Sequence, residues 1–294
     1  MRIVVTGGSS FVGAHLCRAA AEHHDVHALF HSTPVALTRV TPMRVDLRRR
    51  GRDVARIRAL KPDLVVHTAC RIKARGPGSS AEAAAAVNRQ MMDAVLAVGV
   101  PVVYASSTVV HWTRDTPYAR SRREDEQRLA ESGLPWAVLR PSAPYGPPLR
   151  NHSPGHQESF HTLARLVGRT PLVPVIGDGK YRRQPIHVDD FAQAVLRLAE
   201  GGLPNEAFEA GGATAHTFDD IIALIAGGMG RRVRPLHLPK ALFVAAARWA
   251  PDFDADLIGA IDEDELADPA ALTAACGVAP RGFADGVADM LQGL

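Results

Sequence analysis

The chain has 294 residues, room for one large domain or two interleaved ones at about 150 residues each. Its 34 Lys and Arg against 31 Asp and Glu leave a net charge of +3, too balanced for the concentrated basic face that nucleic acid requires. A 46% hydrophobic content excludes a disordered chain, and three scattered cysteines (Cys17, Cys70, Cys276) without a CxxC pair exclude a disulfide or zinc scaffold.

The apolar pattern predicts alternating strands and helices. Residues 2–6 read as a strand, 11–22 as a helix, 25–31 as a strand, and a third strand ends at Val45-Asp46. A helix over 52–60, a buried strand over 63–67 and an Ala-rich helix over 81–98 follow, then a strand at 101–105, a helix over 118–132 and a strand at 137–139. Near-continuous apolar strands separated by helices imply a parallel sheet covered on both faces, a doubly wound α/β (Rossmann) fold. After Pro141 the alternation turns irregular, with helices at 157–168, 189–199, 218–228 and 240–249 and a surface-wrapping tail with one short helix from Asp262. The expected division is a nucleotide-binding domain over 1–165 and a smaller substrate lobe over 166–294, with 186–200 returning to the main domain. No long apolar run and no leader pattern is present, so a soluble, cytoplasmic protein without a membrane partner is expected.

Thr6-Gly7-Gly8-Ser9-Ser10-Phe11-Val12-Gly13 joins the first strand to the first helix. Gly7 permits a tight turn, Gly13 permits close helix–strand packing, and the helix N-terminus offers N–H groups to a pyrophosphate. The same residues could serve as a plain strand-to-helix turn. In this context the run resembles T-G-x-x-G-F-x-G of the extended short-chain dehydrogenase/reductases, the NAD-dependent epimerase/dehydratase family, with Ser10 in place of the middle glycine. Further segments resemble that family in order: Val45-Asp46-Leu47, Val65 to Cys70, the helical Asn88, Tyr104-Ala105-Ser106-Ser107-Thr108, Tyr118-x-x-x-Arg122, Leu139 to Pro147, Ile176 to Gly179, and Arg183 to Asp190.

The resemblance implies roles. Tyr118 would be the acid/base, Ser107 would hold the reacting oxygen with Thr108 as a second candidate, and Arg122 would replace the family's Lys. Positive charge from residue 122 favours the phenolate of Tyr118, and a spacing of four puts both on one helix face. Arg keeps the charge but cannot act as a proton relay, so a catalytically silent dinucleotide-binding protein, structural or sensing, stands as the alternative. Gly7, Ser9, Ser10, Phe11, Val12, Gly13, Asp46, Leu47, Thr68, Ala69, Pro141 and Ser142 would surround the cofactor with Tyr118 and Arg122. Tyr145 and Arg183 would face the substrate, Arg183 at the position that contacts the diphosphate in nucleotide-sugar members. Many members keep that Arg for structural pairing alone.

About 20 residues past the turn, where a carboxylate would select NAD, stand His31 and Ser32 instead. With Arg39 they favour NADP over NAD, against the alternative that they only finish a strand. Only ten residues separate Ser107 from Tyr118, so the pocket is expected to be open or rebuilt by the second lobe. His152, His156 and His161 read as a polar, substrate-facing loop rather than a metal site, His15 and its neighbours as solvated, and His187 as a structural core residue. A small-molecule oxidoreductase or epimerase is the expectation, acting on a secondary alcohol or ketone of a nucleotide sugar or related metabolite and forming a homodimer. Thr108, where dehydratases carry an acid, argues against a dehydratase.

Overall fold

The computed structural model describes residues 1–49, 51–72, 80–149, 159–247 and 262–294. In chain order these build β1 (Arg2–Thr6), α1 (Phe11–Ala20), β2 (Asp25–Phe30), β3 (Val40–Arg44), α2 (Arg52–Ala59), β4 (Leu64–His67), α3 (Ala81–Leu96), β5 (Val102–Ala105), a 3-10 turn (Thr108–His111), α4 (Pro117–Ala130) and β6 (Trp136–Pro141). There follow α5 (Ser159–Arg169), β7 (Leu172–Ile176), β8 (Arg182–Arg183), α6 (Val188–Gly201), β9 (Glu206–Ala210), β10 (His216–Thr217), α7 (Phe218–Gly228), β11 (Arg234–Leu238) and α8 (Lys240–Ala247). Two helices, α9 (Ala270–Cys276) and α10 (Phe283–Leu291), end the chain.

Seven parallel strands form the main sheet in the order β3-β2-β1-β4-β5-β6-β9, so the expected doubly wound fold is present. Strand order reverses between β1 and β4, which opens a crevice at the carboxyl ends of those two strands. The continuous apolar runs arise because both faces are covered: Ile3, Val4 and Val5 have no exposed surface. One face packs on α1, α6 and α9 through Leu16, Phe191 and Leu272, the other on α2, α3 and α4 through Ile57, Met92 and Leu129. Burial of each such side chain contributes about 1.5–3 kcal/mol.

A third core belongs to the smaller lobe, where Phe160, Val167, Ile221, Phe283 and Met290 join α5, β7, α7 and α10. The part that returns to the main domain is longer than 186–200, because β9 pairs with β6 and α9 packs on α6 and β9. α5 begins at Ser159 and gives Phe160, Leu163, Ala164 and Val167 to this third core, most of them ahead of residue 166. The expectation of a surface tail with one helix is corrected. Its apolar periodicity spans two helices, and Leu272, Phe283 and Met290 are buried.

Two histidines also depart from expectation. His15 is fully buried on α1, where Nδ1 meets Asp189 Oδ1 at 2.9 Å and Nε2 meets the Pro147 carbonyl at 2.9 Å. His161 is a buried residue of α5, not of an open loop, and its Nε2 meets the Gly146 carbonyl at 2.8 Å. From α1 and α5 they grip one loop, because the carbonyls there lack ladder partners. His187 is a core residue as expected and caps α6, Nδ1 accepting from Asp189 N–H at 3.2 Å. His152 and His156 lie outside the described residues.

Candidate active site

The crevice is built by the glycine turn and the end of β4. Gly7 has φ +67°, and a Cβ there would lie 2.7 Å from Ala69 Cα. A Cβ on Gly13 would sit 2.3 Å from the Gly7 carbonyl oxygen and 2.8 Å from Thr68 Oγ1. Both positions thus exclude any side chain. Ser10 needs no such freedom: at φ −77° it is the N-cap of α1, its Oγ accepting from Gly13 N–H at 3.0 Å. The substitution for glycine is therefore accommodated, and it adds a cap. Ser10→Ala is expected to cost about 1 kcal/mol of stability, read by urea denaturation. Ser9 and Val12 are half-buried beside it, while Phe11 is buried against the rings of His15 and His161.

With Gly13 N–H capped and Ala14 N–H bonded to the Ser10 carbonyl, the donors of Phe11 and Val12 are left at the helix start for an anion. The far wall is fixed by Thr6, whose Oγ1 accepts from Ala69 N–H at 3.2 Å and whose carbonyl accepts from Thr68 Oγ1 at 2.6 Å. Asn88 holds the next residues, bonding both the N–H and the carbonyl of Arg71. This cradle, with room for backbone but for no Cβ, fits the pyrophosphate of a dinucleotide.

At the other end of the crevice His31 and Ser32 are exposed, and Asp46 and Leu47 follow β3. Arg48 grips both Asp46 oxygens through Nε and Nη2, each at 2.8 Å. The hydrogen bonds from Arg48 hold the Asp46 carboxyl down at about 2. A cavity of about 630 Å³ opens beside it, lined among others by His31, Arg44, Arg49, Arg52 and Arg56. Arg39 is not among them. It bonds the Glu22 carbonyl at 3.5 Å, which corrects its expected place beside the cofactor.

The residues expected at the reactive end come from α4 and from the turn that follows β5. Thr116 caps α4, its Oγ1 accepting from Ala119 N–H at 3.1 Å, and Pro117 opens the first turn. That cap puts half-buried Tyr118 at the start of the helix, with buried Arg122 one turn on. The guanidinium carbon lies 5.1 Å from the Tyr118 ring centroid and 5.4 Å from that of Tyr104. Nη1 donates to Tyr104 Oη at 2.6 Å and to the Ala105 carbonyl at 3.3 Å, while the buried Nε has no partner among the described residues. Tyr104 Oη lies 3.5 Å from Asp125 Oδ2, and burial pushes the Asp125 carboxyl up to about 6.

Ser107 is half-buried at the end of β5, its Oγ accepting from Val109 N–H at 3.4 Å. Cys70 lies beside both Tyr118 and Arg122. Arg122 favours the Tyr118 phenolate as expected, but burial outweighs it and drives the phenol above its ordinary value. His67, stacked on Tyr104, is pushed down to about 3 by burial and by the charge of Arg122, so it is neutral near pH 7.

The substrate side differs most from expectation. Tyr145 has no exposed surface: it packs in the lobe core against Phe283 and donates to the Gly282 carbonyl at 3.1 Å. Thr108 is buried in the 3-10 turn. Arg183 is also buried, its Nη1 donating to the carbonyls of Arg182 at 3.0 Å and Glu263 at 2.5 Å. Pro141 and Ser142 are buried too, Ser142 Oγ donating to the Glu265 carbonyl at 3.0 Å.

One cause covers Arg183 and Ser142: residues 263–265 run beside Arg183 in a parallel bridge and supply their carbonyls. The same segment braces the short loop before Tyr118, where Glu263 accepts from Thr113 N–H at 2.8 Å and Thr113 Oγ1 at 3.0 Å.

Sequence reasoning missed Tyr104, Asp125, Glu263 and Glu265. Asp125 lies three residues beyond Arg122 on the same helix face, a signal that could have been read. Glu263 and Glu265 carried none, since their partners are distant in sequence. Among the described residues no group of three His, Cys, Asp or Glu could hold a metal, and no helix is long and apolar enough to cross a membrane.

A parallel sheet with a glycine cradle at its switch point defines a doubly wound α/β protein of the dinucleotide-binding type. A family profile described as NAD dependent epimerase/dehydratase family matches residues 3–211, and the chain belongs to that family. Ceramide reductase of Caulobacter vibrioides is 27% identical over 66% of this chain and 59% of its own length. A UDP-glucose 4-epimerase of Mycolicibacterium smegmatis is 23% identical over 82% and 87%. The chain spans 31% of the dTDP-glucose 4,6-dehydratase of Escherichia coli that it matches, at 27% identity over 39% of this chain.

Among solved structures, the UDP-glucose 4-epimerase of Thermus thermophilus, in complex with NAD, superposes with a TM-score of 0.76. It is 22% identical, with coverage of 99% of this chain and 98% of that one. An epimerase of Methanothermobacter thermautotrophicus gives 0.79 at 18% identity, covering 98% and 90%.

Proposed function

We propose that the protein is an NAD(P)-dependent oxidoreductase that moves a hydride to or from a secondary alcohol or ketone, with Tyr118 as the acid/base. The observation that carries this reading is the placement of half-buried Tyr118 against the buried Arg122 guanidinium and beside Cys70, the residue after Ala69 of the cradle wall. A bound nicotinamide supplies the hydride donor or acceptor. The chain's own residues do the rest. Ser107 Oγ hydrogen-bonds the reacting oxygen, and Tyr118 Oη takes or returns its proton. Arg122 stabilises the phenolate that forms, and the positive charge of an oxidised nicotinamide adds what burial withholds. The turn at Gly7–Gly13 holds the pyrophosphate. The test is turnover of reduced nicotinamide with a panel of ketones by wild-type protein and Tyr118→Phe.

The same reading extends to the cofactor and the assembly. NADP is proposed over NAD because the end of β2 carries His31 and Ser32 in place of a carboxylate, and the pocket there presents Arg49 and Arg52 beside Asp46 and Asp53. Arg suits a 2′-phosphate because its fork pairs bidentately with phosphate oxygens. Arg49→Ala with Arg52→Ala is expected to weaken NADP about tenfold, the worth of one charge-assisted pair, and to leave NAD unchanged in calorimetry. Equal losses for both cofactors would overturn the assignment. A cytoplasmic homodimer paired through α3 and α4 is part of the proposal; Ala83 and Ala86 on the outward face of α3 permit close approach.

A dinucleotide-binding protein without chemistry is the second reading. It is favoured by the commitment of Arg122 Nη1 to Tyr104 and Ala105 and by the raised phenol. It requires cofactor binding with no turnover by either form of the protein.

A further inference from the structure

Tyr118 depends on Arg122, and Arg122 is held in its turn. On the basis of the oxidoreductase reading above, we propose that Tyr104 and Asp125 are positioning residues for the acid/base: Asp125 takes the Tyr104 hydroxyl proton, which turns the Tyr104 oxygen to Arg122 and holds the guanidinium against the Tyr118 ring.

Hydrogen-bond direction fixes the order of this chain. A guanidinium only donates, and a phenol has one proton. Arg122 Nη1 donates to Tyr104 Oη at 2.6 Å, so the Tyr104 proton must point elsewhere. Both groups are buried, where an unpaired hydroxyl is costly. Among the described residues its acceptor is Asp125 Oδ2 at 3.5 Å, a long bond that the carboxylate charge strengthens. The other oxygen, Asp125 Oδ1, is buried with no hydrogen-bond partner among the described residues, and Arg128, paired with Asp93, comes no closer than 3.8 Å. Glu124 and Glu126, its neighbours on α4, are each matched to an arginine at 2.6 Å, Arg89 and Arg140. Asp125 is thus the carboxylate of α4 that is turned inward, toward the buried cation.

Tyr104 is anchored from its other side. Its ring stacks on His67 with centroids 5.4 Å apart, and His67 Nδ1 meets Thr6 Oγ1 at 2.7 Å. Thr6 is also the residue that fixes Thr68 and Ala69 in the cradle wall. The hydroxyl that holds Arg122 is therefore tied to the wall that would hold the cofactor. Freed from Tyr104, Arg122 keeps the longer bond to the Ala105 carbonyl, at 3.3 Å, and offsets less of the burial that opposes the Tyr118 phenolate. The other titratable or charged groups that face this cluster are His67 and Cys70 from β4 and the residues after it, Arg89 from α3, and Glu124 and Arg128 from α4.

The test uses Tyr104→Phe, Asp125→Leu, Asp125→Asn and the double variant Tyr104→Phe with Asp125→Leu, each checked for native circular dichroism. Tyr104→Phe and Asp125→Leu should each lower kcat about tenfold with KM within about twofold, and move the alkaline rise of alcohol oxidation about one unit to higher pH. The double variant should lose no more than either single one, since Asp125 acts through Tyr104. Asp125→Asn keeps an acceptor oxygen and should recover most of the loss. The direction of the pH shift separates positioning from plain charge. A carboxylate acting through space opposes the phenolate, so its removal would move the rise to lower pH. A shift to lower pH in Asp125→Leu, or wild-type kcat in folded Tyr104→Phe, overturns the proposal. Tyr104→Phe removes one buried oxygen and keeps the ring, so it decides the matter should Asp125→Leu fail to fold. The Arg122 Nε–H resonance, assigned by its absence from Arg122→Lys, gives a readout without turnover. Its hydrogen exchange should be about tenfold faster or more in Tyr104→Phe, and an unchanged rate refutes the hold of Tyr104 on Arg122. Failure of the oxidoreductase reading looks different: no ketone would oxidise reduced nicotinamide with the wild type, while the exchange rate still reports on Tyr104.

Discussion

Tyr118→Phe is expected to lower turnover by about 10²–10⁴-fold, the worth of a positioned acid/base, while cofactor affinity stays within twofold. The substitution is clean because the ring and the hydroxyl do separate work. The ring rests against the Arg122 guanidinium, and a phenylalanine preserves that stacking. The cofactor's pyrophosphate meets the turn at Gly7–Gly13, which Tyr118 does not support. What disappears is the one oxygen able to exchange a proton with the substrate. Ser107 cannot replace it, since a hydroxyl with an ordinary pKa can hold the reacting oxygen but is a poor base at neutral pH. Stopped-flow absorbance of reduced nicotinamide measures the chemical step, and titration of the same preparation measures affinity. A variant with wild-type turnover would end the assignment of Tyr118 as the acid/base.

The main sheet was legible because its signals are local. Unbroken apolar strands such as Leu64–His67 and the turn at Gly7–Gly13 each encode their structure within a few residues. The Tyr118–Arg122 pair was legible for the same reason, since helical spacing alone places it. The substrate side was not. Tyr145 and Arg183 sit in motifs that look solvent-facing in sequence, but Gly282 and Glu263, far along the chain, provide the acceptors that draw them inward. His15 is hidden by the same effect, as its partners Pro147 and Asp189 come from the loop after β6 and from α6. Local pattern fixes which element forms, whereas the direction of a polar side chain is decided by where its distant partner arrives. A phenol's pKa is likewise set by packing: the guanidinium was visible in sequence, and the burial that outweighs it was not.

Arg122→Met is expected to cost about 3–5 kcal/mol of stability, a value typical of a broken buried charge arrangement. Tyr104 would lose its donor, and Asp125, one turn away, would lose the charge that partly offsets its burial. The sign of the pH dependence follows. Asp125 has a folded-state pKa of about 6, above its unfolded value near 4. In wild type its contribution therefore falls as pH rises from about 4 to about 6 and is level above that. Without Arg122 the folded pKa climbs further and the fall continues beyond pH 6, so the gap between variant and wild type widens with pH. Urea denaturation at several pH values measures this, and a gap that narrows over that range would refute the role given to Arg122. The phenol of Tyr118 also climbs, so the alkaline rise of alcohol oxidation should move to higher pH, with a tenfold slower rate at neutral pH for each unit moved. Arg122→Lys separates charge from shape. It restores a cation but not the planar fork that spans Tyr104 and the Ala105 carbonyl. Recovery of most activity with only part of the stability would locate the contribution to turnover in the charge and the contribution to folding in the fork.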